Sequence, residues 1–160
     1  MSKFVEAAAA LAAPGQPVTL FRAVEAAVQA AVGHKLFTLM VWHQASGDAE
    51  RIYSSNPQAY PVGGRKPMVD SPYGQLVFGE QKPYLGRTKA DIKWAFFDYE
   101  LIYSLGLGSV VNTPVRYDGK MLGMMNILHA EHYYREQDIA ALAPYAALLI
   151  PSFRDWLAKG

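Results

Sequence analysis

The sequence predicts an α+β domain: a central, mainly antiparallel sheet with helices packed against it. Two pairs of strand-like segments, at residues 35–54 and 109–128, are each joined by a short turn. Helical periodicity occupies both ends of the chain, and no strand–helix–strand alternation calls for a parallel sheet. The 160 residues suffice for one core that buries about 70% of the unfolded surface, so residues 1–160 read as a single domain.

Residues 2–13, "SKFVEAAAALAA", predict a short N-terminal helix closed by Pro14-Gly15. Glu6 and the dependence on alanine separate this stretch from an export signal. Thr19 offers an N-cap to a second helix ending near Gly33, striped by Leu20, Val24, Val28 and Ala31. "KLFTLMVWH" (35–43) is apolar almost throughout and suits a strand buried on both faces. Ser46-Gly47-Asp48 turns it back into "AERIYSS", where alternation sets Arg51 and Tyr53 opposite Ile52. From Asn56 to about Arg87, Pro57, Pro61, Pro67, Pro72, Pro83 and the Gly63-Gly64 pair interrupt every candidate element but one. The exception is a short helix at "SPYGQLVFGEQ", capped by Ser71 with Pro72 at its first position. Residues 91–105 recover a helical period, with Ile92, Phe96, Tyr99 and Tyr103 on one face. The last helix spans the segment after Arg135, and Pro144 and Pro151 are each expected to kink or divide it.

"SVVNTPVRYDGKMLGMMNIL" (109–128) raises the functional question, because two asparagines sit in otherwise buried strand, where an unpaired amide costs about 1–3 kcal/mol. A two-residue Asp118-Gly119 turn pairs Tyr117 with Lys120 and puts the asparagines on opposite faces. Asn126 then joins Ser109, Thr113, Met124 and Leu128 in an apolar setting with a few hydrogen-bonding groups, the usual lining of a small-molecule site. Asn112 is assigned to the helix-covered side. An extra residue near the turn would move one strand's set across the sheet. Trp42, Tyr53, Tyr73, Trp94 and Phe97 are the aromatic candidates for stacking on a planar ligand.

A net charge of +1 with 18% charged residues gives no electrostatic case for nucleic acid or an anionic membrane. Nothing approaches the roughly 18 apolar residues of a membrane span, and a cytoplasmic location is expected. The absence of cysteine removes disulfides, thiolate metal sites and thiol catalysis. His129 and His132, at a strand end, point to opposite sides, which is poor geometry for a metal or haem. No nucleophile elbow, phosphate loop or zinc helix occurs, and no cofactor can be named. Between Pro61 and Ala95, six basic residues face three acidic ones, a local excess that would suit an anionic ligand if the segment covers a pocket.

The stretch "LGLGSVVNTPVRYDGKMLGMMNILHAEHYYREQDIAALAPYAALL" resembles the C-terminal half of a GAF domain, with Pro114, Gly119, Gly123, Tyr133 or Tyr134, Asp138 and Leu142 in the places of that family's pattern. With "LFTLMVWHQASGDAERIYSSN" as the first hairpin, the similarity covers residues 18–157, nearly the whole chain. The resemblance implies a GAF/PAS-like sheet with N- and C-terminal helices on one face. On the other face it implies a pocket under loop and short helices, and it implies dimerisation through the terminal helices.

Bilin-binding members and free methionine sulfoxide reductases of that family depend on cysteines, which this chain lacks. Only Lys93, Phe96 and Asp98 loosely match the cyclic-nucleotide-binding pattern. The reading is therefore a non-enzymatic sensory domain. It would bind a small molecule, anionic or aromatic, and act through a partner or its own homodimer, since the 160 residues include no output domain. Two alternatives stand beside it: a cysteine-independent enzyme acting in the same pocket, and a structural dimerisation module whose pocket is filled by Trp94 and Phe97.

Overall fold

The computed structural model describes residues 2–68 and 70–160. Its centre is a six-stranded antiparallel sheet, β1 (Leu36–His43), β2 (Asp48–Ser54), β3 (Arg65–Pro67), β4 (Tyr84–Gly86), β5 (Ser109–Tyr117) and β6 (Lys120–His129), in the order β3-β2-β1-β6-β5-β4. Seven helices accompany it among the described residues: α1 (Lys3–Ala9), α2 (Val18–Ala31), α3 (Pro72–Gly74), α4 (Lys89–Ala95), α5 (Tyr99–Ser104), α6 (Glu136–Leu148) and α7 (Ile150–Ala158). The predicted α+β class is the observed one.

α1, α2, α6 and α7 cover one sheet face. Phe37, Leu39 and Val41 of β1 meet Val111, Val115, Met125 and Ile127 of the last hairpin there, beneath Leu20, Val24, Leu142 and Phe153 of the helices. Leu36, Thr38 and Met40 point the other way, so β1 is buried on both faces as its apolar run predicts. Over that second face lie α3 with the π-helical turn Gln75–Gly79, then α4 and α5.

Local chemistry accounts for most boundaries. Ser71 Oγ accepts the Gly74 N–H at 2.9 Å, and Pro72 sits in the first turn of α3. Asp118 and Gly119 both hold positive φ, the condition for a two-residue turn that follows strand twist. Four sequence expectations change. Thr19 lies inside α2 rather than capping it, because its hydroxyl donates back to Pro14 O at 2.8 Å and Gly15 O at 3.1 Å. The helix expected over 91–105 is two helices, since Phe96 is extended (φ −125°, ψ 130°). Pro151 enters the first turn of α7 and coincides with a division at Leu149, whereas Pro144 stays inside α6. The proline-broken segment also holds β3 and β4, each three residues long, too short to leave a periodic signal.

The two β-bulges matter most for the site. Leu39 faces Tyr53 but Met40 faces Arg51, so Ile52 is an extra residue in β2. Val115 faces Gly123 but Arg116 faces Met121, so Leu122 is an extra residue in β6. Each bulge shifts the parity of the strand beyond it. Asn112 therefore pairs directly with Asn126, and the two asparagines share one face, contrary to the opposite-face expectation. Arg51 and Tyr53 likewise part company.

Candidate ligand cavity

A cavity of about 330 Å³ lies between the second sheet face and its cover. That is near the lower end of the range for small-molecule sites. Its floor comes from the three central strands: Leu36, Thr38 and Met40 of β1, Met124, Asn126 and Leu128 of β6, and Asn112 of β5. Tyr73, Phe96 and Ile102 close over it from α3, the α4–α5 break and α5. The break is what carries Phe96 inward, where its ring lies 5.0 Å from that of Tyr73. α4 is held at its start by a reciprocal cap between Thr88 and Asp91, and Tyr84 Oη donates to Asp91 O at 2.8 Å.

Three polar groups of the floor and Tyr73 of the cover form one directional chain. Tyr73 Oη donates to Asn112 Oδ1 (2.8 Å), Asn112 Nδ2 donates to Asn126 Oδ1 (2.7 Å), and Asn126 Nδ2 donates to Thr38 Oγ1 (3.2 Å). All four residues are buried. Burial, then the neighbouring Tyr84, pushes the Tyr73 phenol well above its ordinary range, so it stays protonated and keeps donating. The chain answers why two amides occupy buried strand. Each satisfies the other, and each retains a second amide hydrogen that none of these bonds uses.

One end of the cavity is charged. Arg51 sits at the β2 bulge, its guanidinium carbon 4.8 Å from the centre of the Tyr60 ring, and its Nη1 donates to Pro61 O at 3.2 Å. Its Nε is buried and has no hydrogen-bond partner. Tyr60 Oη donates to Asp98 Oδ2 at 2.8 Å. Burial lowers the Arg51 pKa from its ordinary value, opposed by Tyr60 and Asp98. Lys66 and Asp70 complete this rim, the Lys66 ammonium lying 4.4 Å over the Phe97 ring.

Of the residues expected at a site, the structure brings Tyr73, Phe97, Met124, Asn126 and Leu128 to the cavity. Trp42 packs against Phe78 with the rings tilted, on the same face but outside the lining. Trp94 lies outward on Tyr84. Tyr53 is on the helix side, donating to Glu25 Oε1 at 2.6 Å, because of the bulge at Ile52. Ser109 and Thr113 follow Val111 to the helix side. The Ser109 hydroxyl donates to Ala130 O at 2.7 Å, and the Thr113 hydroxyl is buried without a partner. Trp94 and Phe97 do not fill the cavity, since they are 53% and 77% exposed.

Sequence reasoning left Arg51, Tyr60, Asp98 and Thr38 out of the expected site, Asp98 entering only as a loose match to the cyclic-nucleotide-binding pattern. Thr38 had a signal, a lone hydroxyl in an apolar run. The other three come from separate segments that only the tertiary fold unites. Among the described residues no group of histidine, aspartate and glutamate is arranged to hold a metal, and no helix is long and apolar enough to cross a membrane.

No family model matches the sequence, and no curated protein matches it. Solved structures do. The GAF domain of a phosphoenolpyruvate-protein phosphotransferase from Coxiella burnetii superposes with a TM-score of 0.73 at 18% identity, over 99% of this chain and 96% of that one. The corresponding domain from Acinetobacter gives 0.75 at 15% identity, over 99% and 94%. A free methionine-R-sulfoxide reductase from Neisseria meningitidis, solved with its substrate, gives 0.71 at 16%, over 98% and 89%. The same architecture thus serves an enzyme as well as domains of signalling and phosphotransfer proteins. What the six-stranded sheet, its helix layer and these superpositions establish together is that this chain has the GAF-domain fold.

Proposed function

We propose that this chain is a sensory or regulatory domain that binds a small molecule in the cavity above Asn112 and Asn126 and has no catalytic activity of its own. The observation that carries the reading is the roughly 330 Å³ space on an apolar sheet face, with three buried polar side chains in its floor and a fourth, Tyr73, in its cover, all linked by hydrogen bonds. An apolar cavity with a few fixed donors is built to orient a ligand rather than to complete a core. The unused amide hydrogens of Asn112 and Asn126 are the groups that would meet the guest, and Met124, Leu128 and Phe96 would enclose its apolar body.

The cover carries the signal in this reading. It is made of short helices and edge strands, with a break at extended Phe96 followed by a turn at Phe97-Asp98, so a ligand touching Phe96 and Ile102 bears on the elements least held by the sheet. The altered surface would then be read by a partner protein or a second copy of the chain. Val5, Leu11 and Val18 leave apolar side chains exposed on the N-terminal helices, which supports a homodimer through that layer. The absence of cysteine separates this chain from the thiol chemistry that its resemblance would otherwise bring to mind.

A metabolite panel read by thermal shift tests the reading. A ligand at about 100 times its Kd adds about 2.7 kcal/mol of stability. At least one member should raise the wild-type Tm and leave that of Asn126→Leu unmoved. A ligand that shifts both proteins equally would bind elsewhere.

A further inference from the structure

We infer that the cavity ligand is a small organic acid, with its carboxylate seated on Arg51 and an apolar body lying over Met124 and Leu128. The inference rests on the ligand-binding reading above and adds to it the chemical class. Arg51 is a half-buried cation at the cavity and it is under-partnered: Nη1 is held by one backbone carbonyl, Nε is buried with no partner, and among the described residues no carboxylate makes an ion pair with it. Asp98, whose charge acts on Arg51, is engaged elsewhere, because its Oδ2 accepts the Tyr60 phenol proton. Tyr60 thus stands between the two charges, with its ring against the guanidinium and its hydroxyl on the carboxylate.

A guanidinium partly withdrawn from water without a directly paired anion is costly, and the planar N–H fork fits one partner best, a carboxylate bound through two parallel hydrogen bonds. The main chain that carries Arg51 is held in place. Its backbone N–H donates to Gly64 O at 3.2 Å and its carbonyl accepts the Gly63 N–H at 2.8 Å, which ties the bulged strand to the neighbouring loop. Lys66 at the rim adds a second positive charge for an anion entering from solvent, while Asp70 and Asp98 on the same rim disfavour ligands of higher negative charge. One carboxylate on a compact apolar body meets all of these conditions.

Matched pairs separate this class from others. A panel of small carboxylic acids with branched aliphatic or phenyl bodies is titrated against the full chain by calorimetry beside the primary carboxamide of each. Phenylacetate with phenylacetamide is one such pair. The best acid should bind at least about tenfold tighter than its amide in the wild type. That preference should vanish in Arg51→Gln and survive in part in Arg51→Lys, with circular dichroism showing both variants folded. If either variant fails to fold, the wild-type acid-to-amide ratio still decides. Amides binding as well as acids would overturn the inference and leave the ligand-binding reading standing. An absence of binding by the whole panel, with a neutral or cationic molecule found co-purifying with the chain, would do the same. An absence of both would count against the two together.

Discussion

Asn126 shows how one side chain serves both the fold and the site. It accepts from Asn112 and donates to Thr38, so it joins three of the strands, and it lines the cavity with a second amide hydrogen that neither bond uses. Replacing it by leucine leaves the Asn112 amide without its acceptor in a buried place. A loss of about 1–3 kcal/mol is expected in urea unfolding, partly offset by the apolar volume gained. His34 sets a different condition. Its side chain is buried, both ring nitrogens lack hydrogen-bond partners, and Glu25 Oε2 stands 3.7 Å from Nε2. Burial lowers its pKa against the opposing charge of Glu25, and His129 is shifted the same way by burial, Lys35 and His34. The unfolded chain therefore binds protons at about pH 6.5 that the folded chain resists. Stability should be fully present above that value and should fall as the pH drops below it. Urea melts at about pH 7.5 and about pH 5 should show a smaller difference for His34→Leu than for the wild type.

At the scale of elements, the site depends on how closely the strands and helices approach. Gly123 faces Val41 on β1 beneath Phe153 of α7, and a Cβ there would stand 2.0 Å from Met40 O and 2.8 Å from the Phe153 ring. The first of these atoms is backbone and cannot move aside. Gly123→Ala should cost about 3 kcal/mol or more, beyond ordinary overpacking, because β1 or α7 must shift. A melting temperature within a degree or two of wild type would contradict the packing described here. The bulges beside Ile52 and Leu122 are the other decisive elements. Each adds a single residue, and each changes which side chains look into the cavity.

For the molecule as a whole, the sequence made the sheet, its two hairpins and the helix layer legible, because burial imposes periods that survive in the residue order. β1 was readable from its apolar run and α3 from Ser71-Pro72. Side-chain facing was readable only up to the bulges: parity puts Asn126 beside Met124 and Leu128 correctly within β6, and fails for Asn112 and Tyr53 across a slipped register. The charged end of the cavity left no local pattern, since Arg51, Tyr60 and Asp98 belong to three segments joined only by folding. The proposed function requires the space above the asparagine pair to be a binding site rather than a gap in packing. Native mass spectrometry of the chain purified from the cells that make it, with Asn126→Leu prepared alongside, tests this most directly. A stoichiometric small-molecule adduct is expected on the wild type and should be lost or reduced in the variant. A clean unliganded mass for the wild type, together with no thermal shift across the metabolite panel, would contradict it.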